Sequence, residues 1–204
     1  MEIKIKALAI KKTWIDINSR AIIETAVATI IAVIVPAIMA HTPQSQFVVG
    51  PIVNAVLFWV VLRVGVANAL FIAVIPSLIA LFRGLLPPQA AVMVPFIILG
   101  NCAMILTFAF IGTRHGVFRV RPSFAKACPT LSFRRVSVGK YAAFLQVIFA
   151  SVIKTLVIFL PAWLLLSLPS VVTFMMSWPQ LVTTLFGGLI VVFLHKRLTK
   201  PDIV

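Results

Sequence analysis

The chain has 204 residues, of which 62% are hydrophobic and 11% are charged, and its mean hydropathy is +1.15. A soluble domain averages about 45–50% apolar and about 25% charged residues, so the composition excludes a water-soluble fold. A membrane-spanning helix takes about 20 mostly apolar residues, and six of them would use most of the apolar content. We therefore predict one small all-α membrane domain and no second domain.

Six apolar stretches follow a basic N-terminal segment at residues 1–20. The predicted spans are residues 21–40, 50–62, 66–82, 93–111, 141–165 and 179–195. Charged or glycine- and proline-containing connections separate them, as at residues 63–65 and 83–88. A basic loop at residues 112–140 joins the fourth span to the fifth, and a basic tail at residues 196–204 follows the sixth. The membrane domain is thus predicted to cover residues 21–195.

The distribution of lysine and arginine predicts the orientation of these six helices. With the N-terminus in the cytoplasm, 16 of the 18 lysines and arginines fall in cytoplasmic segments. Of the other two, Arg83 lies in an outer loop and Lys154 lies within the fifth span. Cytoplasmic loops of membrane proteins carry an excess of cations, so both termini are predicted to be cytoplasmic.

The formal net charge of +14 therefore indicates membrane orientation and does not call for a nucleic-acid partner. Residues 112–140 have two interpretations: a patch that binds nucleic acid or anionic lipid, or a solvated cytoplasmic loop that touches headgroups. We favour the second, and we expect the lipid bilayer and no nucleic acid among the partners.

The residues that most enzymes need are missing from the predicted membrane core. No glycine-rich phosphate-binding motif occurs. The four carboxylates lie near a terminus or a predicted cytoplasmic edge, so they form no acid pair for hydrolysis or for a hard metal ion. The three histidines fall at different membrane edges, and the two cysteines lack metal-ligand spacing. We expect no enzymatic activity, no cofactor and no metal site.

Lys154 is the most informative polar residue in the predicted spans. It lies about 20 Å from the inner end of the fifth span, and Glu24, the one acid within a span, lies near the cytoplasmic edge. One interpretation is a structural lysine that reaches the outer interface or is satisfied by carbonyls and hydroxyls such as that of Ser151. We favour the other, a ligand-binding lysine that faces the bundle interior, because unpaired charges within membranes usually mark a substrate path.

Further polar residues are predicted on the outer half of the bundle. Asn54 lies one turn into the second span and Asn101 about two turns into the fourth, whereas His41 and Arg83 stand at outer helix ends. Each asparagine can equally serve as a hydrogen-bonding contact between helices. Together with Lys154, these residues predict an outward cavity of positive potential, suited to a small anionic or carbonyl-rich solute.

A stripe of small residues marks the first span. Ala28 and Ala32 repeat at an interval of four residues, which lets another backbone approach closely. The stripe serves either internal packing or the docking of another membrane subunit, and both interpretations remain open.

Several short motifs follow one another along the chain. They are Gly-Pro-Ile-Val-Asn-Ala at residues 50–55, Leu-Leu-Pro-Pro at residues 85–88, Pro-Phe-Ile-Ile-Leu-Gly-Asn at residues 95–101, Lys154, Ser-Trp-Pro-Gln-Leu-Val-Thr at residues 177–183, and Gly187-Gly188. In this order the series resembles the substrate-binding S components of energy-coupling factor (ECF) transporters, over about residues 21–195.

The resemblance implies a six-helix subunit of a prokaryotic plasma membrane that captures a small micronutrient from outside. Such a subunit docks on a transmembrane coupling subunit driven by two ATPase subunits and topples in the membrane to release its solute. In that family the alanine stripe of the first helix belongs to the docking face, which implies this role for Ala28 and Ala32. Two alternatives stay open: a membrane anchor or assembly subunit of a redox or enzyme complex, and a stand-alone small permease.

Overall fold

A computed structural model describes residues 19–39, 46–82, 91–115, 142–164 and 169–198 of the chain. Their helices, in chain order, are α1 (Ser19–Met39), α2 (Gln46–Arg63), α3 (Val66–Phe82), α4 (Val94–His115), α5 (Ala142–Leu164), α6 (Ser170–Met175) and α7 (Trp178–Leu198). Within these ranges no β-strand is present, so the predicted all-α membrane fold is confirmed.

Five helical stretches of the described residues are long and apolar enough to cross a membrane, and a shorter apolar helix accompanies them. Five stretches have at least 18 residues and a suitably apolar composition, and the last of them runs through α6 into α7. The shorter apolar helix is α3, which has 17 residues. At 1.5 Å per residue it measures about 26 Å, near the lower limit for crossing a hydrocarbon core of about 30 Å.

Helix boundaries agree with the predicted spans to within four residues. Helix α2 begins at Gln46 instead of residue 50, and α4 runs to His115 instead of residue 111. Between the fifth and sixth predicted spans no helix was predicted, but Ser170–Met175 form the short helix α6. Pro169 is the N-cap of this helix, with φ −50° and ψ 142°, an extended conformation of the kind that N-cap residues usually adopt.

Contacts between the central helices show in which direction each helix runs relative to its neighbour. Gln46, at the start of α2, donates a hydrogen bond to the Met175 carbonyl just before α7, and Gly50 lies against Thr183 four residues further along. Helices α2 and α7 therefore run parallel. Helices α4 and α5 run antiparallel, because Gly100 of α4 lies against Ile158 of α5 while Phe108 is bonded to Gln146. Alternating directions of this kind are expected of six successive spans.

All six long helices contribute buried residues to the core of the bundle. Phe58 and Phe108 are fully buried there, with ring centroids 4.7 Å apart and planes inclined at 57°. Large apolar side chains also cover the outside of every long helix, among them Ile38, Phe71 and Phe193. An apolar exterior of this extent is stable when it faces lipid, so the surface agrees with a membrane location.

One connection between spans is very short. Helix α2 ends at Arg63 and α3 begins at Val66, and the amides of Val64 and Gly65 both donate to the Val60 carbonyl. Gly65 has a φ of 132°, which only glycine adopts readily. The predicted turn at residues 63–65 is thereby confirmed, and it folds α3 directly back from α2.

Several predicted regions fall largely outside the described residues. These are the basic segment 1–20 apart from its last two residues, the loop 112–140 beyond His115, and the tail 196–204 beyond Leu198. The cytoplasmic position of both termini stays a prediction.

Candidate binding site

Lys154 lies near the middle of α5 and points into the bundle. Its side chain is only 4% exposed, and its Nζ donates a hydrogen bond of 2.6 Å to Oδ1 of Asn54 on α2. The lysine therefore does not extend to lipid or to the outer interface. The Ser151 hydroxyl donates to the Val147 carbonyl of its own helix at 2.8 Å, and among the described residues Lys154 donates to Asn54 and not to this hydroxyl. Lys154 thus faces the bundle interior with an amide oxygen as its partner, and its role as a ligand contact stays a prediction.

A short chain of hydrogen bonds continues from Lys154 to a third helix. Nδ2 of Asn54 donates to Oγ1 of Thr184 on α7 at 3.2 Å, and this hydroxyl donates in turn to the Gln180 carbonyl at 2.7 Å. Asn54 thus accepts from α5 and donates to α7. Because Lys154, Asn54 and Thr184 are all buried, the three groups form a polar connection across the apolar core, which we call the Lys154 chain.

The close approach of α2 and α7 allows Asn54 to reach Thr184. A Cβ atom on Gly187 would lie 2.6 Å from the Pro51 carbonyl oxygen and 2.8 Å from Cβ of Asn54. No side chain fits there, so glycine lets the two backbones meet one turn from Thr184. The contact also closes the α7 side of Asn54, leaving no space for a ligand between these helices.

Asn101 lies on the other side of the Lys154 chain. Neighbouring Gly100 faces α5, since its Cβ position lies 3.3 Å from the Lys154 carbonyl oxygen. Asn101 precedes Phe108 by two turns and so shares the helix face that packs on Phe58 of α2. From the helical rise, Asn101 lies about 10 Å above Phe108 and Asn54 about 6 Å above Phe58. The two asparagines are therefore within about one turn of the same depth, Asn101 being nearer the N-terminal ends of α2 and α4.

Polar atoms at this depth are incompletely bonded. Oδ1 of Asn101 is buried, in a residue 5% exposed, and has no hydrogen-bond partner. The Lys154 ammonium carries three N–H donors, and within the described residues only Asn54 accepts from it. No carboxylate in the described part of the chain lies within ion-pair distance of Lys154. A buried ammonium without a counter-ion is costly, and the described residues leave part of the hydrogen-bonding capacity of Lys154 and Asn101 unused.

Sequence patterns alone did not identify every buried polar residue. Thr184, which ends the Lys154 chain, was missed, although a hydroxyl one turn before a glycine pair is a recognisable signal for close helix contact. Gln146 was missed as well: it is buried, its Nε2 donates to the Phe108 carbonyl, and its Oε1 has no partner. Gln146 lies two turns from Lys154 on α5 and belongs to a separate contact between α4 and α5.

The remaining predicted site residues are not part of this cluster. His41 and Arg83 lie outside the described residues. Ala28 and Ala32 belong to the hydrophobic core, with 5% and 0% exposure. The chain's own helices cover both alanines, as the internal-packing interpretation expects, and they are not accessible to another subunit in this conformation. Their role in docking stays a prediction.

No metal-ligand cluster of three or more histidine, cysteine, aspartate or glutamate side chains exists among the described residues. Comparison with known proteins adds no assignment: no family model matches the chain, and no curated protein or solved structure matches it. The functional interpretation therefore depends on the chemistry of the buried polar residues.

Proposed function

We propose that the chain is the substrate-capture subunit of an ECF-type transporter in a prokaryotic plasma membrane. It binds a small micronutrient from the outer side, and separate subunits, a transmembrane coupling protein and two ATPases, drive uptake. No step of ATP hydrolysis takes place in this chain. The proposal rests on the resemblance of the ordered motifs and on the chemistry of the Lys154 chain.

One observation carries the proposal: a lysine in the middle of a membrane helix faces the bundle interior with a neutral amide as its partner. Ionisable residues within membranes are expensive and usually belong to a substrate or ion path. Polar groups of α2, α5 and α7 are hydrogen-bonded to one another, and α4 carries the unpaired Asn101 oxygen within about one turn of the same depth. A membrane anchor needs close helix packing but has no use for a buried, incompletely bonded ammonium group.

The proposal is tested by co-expressing the tagged chain with the coupling subunit and two ATPases from the same genome. We expect the four proteins to co-purify and vesicles containing them to accumulate the solute only with ATP. A folded chain that never associates with the coupling subunit would contradict the proposal. Co-purification with redox-enzyme subunits would support an anchor, and uptake by the chain alone would indicate a permease.

Capture of a solute is tested separately on the isolated chain. Small molecules released by denaturing the purified protein are identified by mass spectrometry, for the parent and for Lys154→Met. We expect one species to be enriched with the parent and lost with the variant. Thr155→Val is the matched control, since its hydroxyl bonds only to the Ser151 carbonyl of its own helix, and it should retain the species.

A further inference from the structure

The partner of Lys154 in this structure is the neutral amide of Asn54, which can act towards the lysine side either as an acceptor or as a donor. An asparagine amide carries an acceptor oxygen and donor hydrogens on the same carbon. Here Oδ1 accepts from Lys154, while Nδ2 donates to the Thr184 hydroxyl. Rotation of the amide would turn Nδ2 towards the lysine side and Oδ1 towards Thr184. The Thr184 hydroxyl has one hydrogen, which goes to the Gln180 carbonyl in this structure, so in the rotated state Thr184 exchanges that bond for one to Oδ1 of Asn54.

On the premise of the proposed function, we infer that the site recognises a solute through a single carboxylate, which replaces the Asn54 oxygen as the acceptor for Lys154. In the loaded state the carboxylate accepts from the ammonium and from the rotated amide of Asn54. The Asn54 oxygen thus holds the place of a carboxylate oxygen while the site is empty. Lys154 and Asn54 become ligand contacts, and Thr184 acts as a positioning residue.

Charge selects a monoanion over a neutral solute. A neutral carbonyl group would give Lys154 no more than the Asn54 amide already gives, so replacing that amide would bring no gain. A carboxylate adds a full countercharge in a low-dielectric interior, where a charge-assisted hydrogen bond is roughly twice as strong as a neutral one. The net gain on binding therefore comes from the negative charge.

The same reasoning disfavours a doubly charged ligand. Lys154 is the one cation among the described residues at this depth, and its polar neighbours Asn54, Asn101 and Thr184 are neutral. A phosphate dianion would keep one uncompensated charge in the core, which is costly. One ammonium matches one carboxylate.

The rest of the solute extends towards α4. Gly187 closes the α7 side by contact with Pro51 and Asn54. On the α4 side, Asn101 offers a buried oxygen without a partner, about one turn nearer the N-terminal ends of α2 and α4. A donor group on the body of the solute would form a hydrogen bond with the unpaired Oδ1 of Asn101. The inferred ligand is thus a small monocarboxylate with a hydrogen-bond donor a few ångströms from its carboxylate.

Paired probes test the inference on the full chain purified in detergent. 3-Hydroxybenzoate, glycolate and 3-hydroxybutyrate, each of which carries a donor hydroxyl, are compared with their primary amides, and with inorganic phosphate, by thermal unfolding and titration calorimetry. We expect at least one of the acids to bind, with roughly 30-fold or greater preference over its amide, and phosphate to have no effect. Equal binding of acid and amide, stronger binding of phosphate, or no binding of any acid would overturn the inference.

Two variants and one control keep the result interpretable. Lys154→Met should abolish the preference for the acids. Asn54→Asp supplies a permanent carboxylate opposite Lys154, so it should unfold at a higher temperature than the parent and no longer respond to acids. Thr155→Val should behave as the parent does. If Asn54→Asp still binds the acids as tightly as the parent, the site is elsewhere and the inference fails.

Failure of the inference and failure of the proposed function give different results. Association with the coupling subunit and ATP-driven uptake do not depend on the charge of the solute. A chain that joins the transporter but binds acids and amides equally would overturn only the inference. A chain that prefers acids but never joins a coupling subunit would overturn the transport proposal and leave the carboxylate site standing.

Discussion

Substituting Gly187 by alanine tests the close contact between α2 and α7 on which the Lys154 chain depends. The added Cβ would lie 2.6 Å from the Pro51 carbonyl oxygen, against an ordinary contact of at least 3.4 Å, so the backbones must separate by about 0.8 Å. The atoms in contact are backbone or close to it, and they cannot move aside as the end of a flexible side chain would. Relief therefore requires a shift of a whole helix.

Two effects of opposite sign determine how far this substitution changes the free energy of unfolding. Overpacking a tight contact costs about 1–3 kcal/mol, while alanine is favoured over glycine in a helix by up to about 1 kcal/mol. We expect a net loss of about 1–2 kcal/mol from the free energy of unfolding. The bond from Asn54 to Thr184 is already 3.2 Å long, so the same separation would take it beyond hydrogen-bonding distance.

Thermal unfolding in detergent measures the stability, and Ile190→Phe on the outer surface of α7 is the control. Ile190 is 44% exposed, so this change adds a larger volume where only lipid or detergent is displaced. We expect the control to unfold at the same temperature as the parent and Gly187→Ala to unfold at a lower temperature. If Gly187→Ala is as stable as the parent, α2 and α7 do not approach as described, and the geometry of the Lys154 chain is wrong.

The remaining predictions concern the energetics of the buried pair and the orientation in the membrane. Asn54→Leu leaves Lys154 buried without an acceptor and should cost about 3–5 kcal/mol of stability, whereas Lys154→Met leaves only a neutral oxygen unbonded and should cost about 1–3 kcal/mol at most. Chemical denaturation of both variants measures this difference, and equal losses would show that Lys154 is not charged in the folded protein. For orientation, Ser45→Cys should react in intact cells with an impermeant thiol reagent while Ser123→Cys is protected, and the reverse pattern would overturn the assignment of both termini to the cytoplasm.

Length and hydropathy predict the number and limits of the helices well, for a physical reason. Each span must satisfy its backbone groups internally and match the thickness of the bilayer, and both requirements can be deduced from local composition. Helix α3, for example, has the predicted limits, with the turn at Gly65 before it and, in the sequence, Arg-Gly and two prolines soon after Phe82. The short helix α6 was missed because six residues are too few to show a period.

Which side of a helix faces inward is much harder to predict. In a soluble helix, polarity separates the exposed face from the buried one, but here Ile30 towards the exterior and Ala32 in the core are both apolar. The inward faces are marked instead by polar groups and by small residues. Lys154, Asn54 and Asn101 were found from their polarity, whereas the hydroxyl of Thr184 is common in membrane helices and gave a weaker signal.

Internal packing and subunit docking also use the same residues. Ala28 and Ala32 permit a close backbone approach whichever helix comes near, and the sequence does not distinguish a neighbour in the same chain from one in another. In this structure the neighbours are the chain's own helices. A tryptophan at Ala32 would therefore disturb the bundle itself, and docking is better tested by association of the intact chain.

If the proposed function is correct, the energetics of Lys154 explain how a buried cation can remain in the bundle without its solute. A lysine at the centre of a membrane helix costs about 2.5–3.5 kcal/mol on insertion scales, and a hydrogen bond to a charged group returns about 1.5–3 kcal/mol. Asn54 thus offsets most of the cost, and the empty bundle folds without a countercharge. The compensation must remain incomplete for binding to be favourable, because a carboxylate already fixed beside Lys154 would leave nothing for a solute to add. An amide partner meets both conditions, since it stabilises the ammonium in the empty protein and remains weaker than an anion.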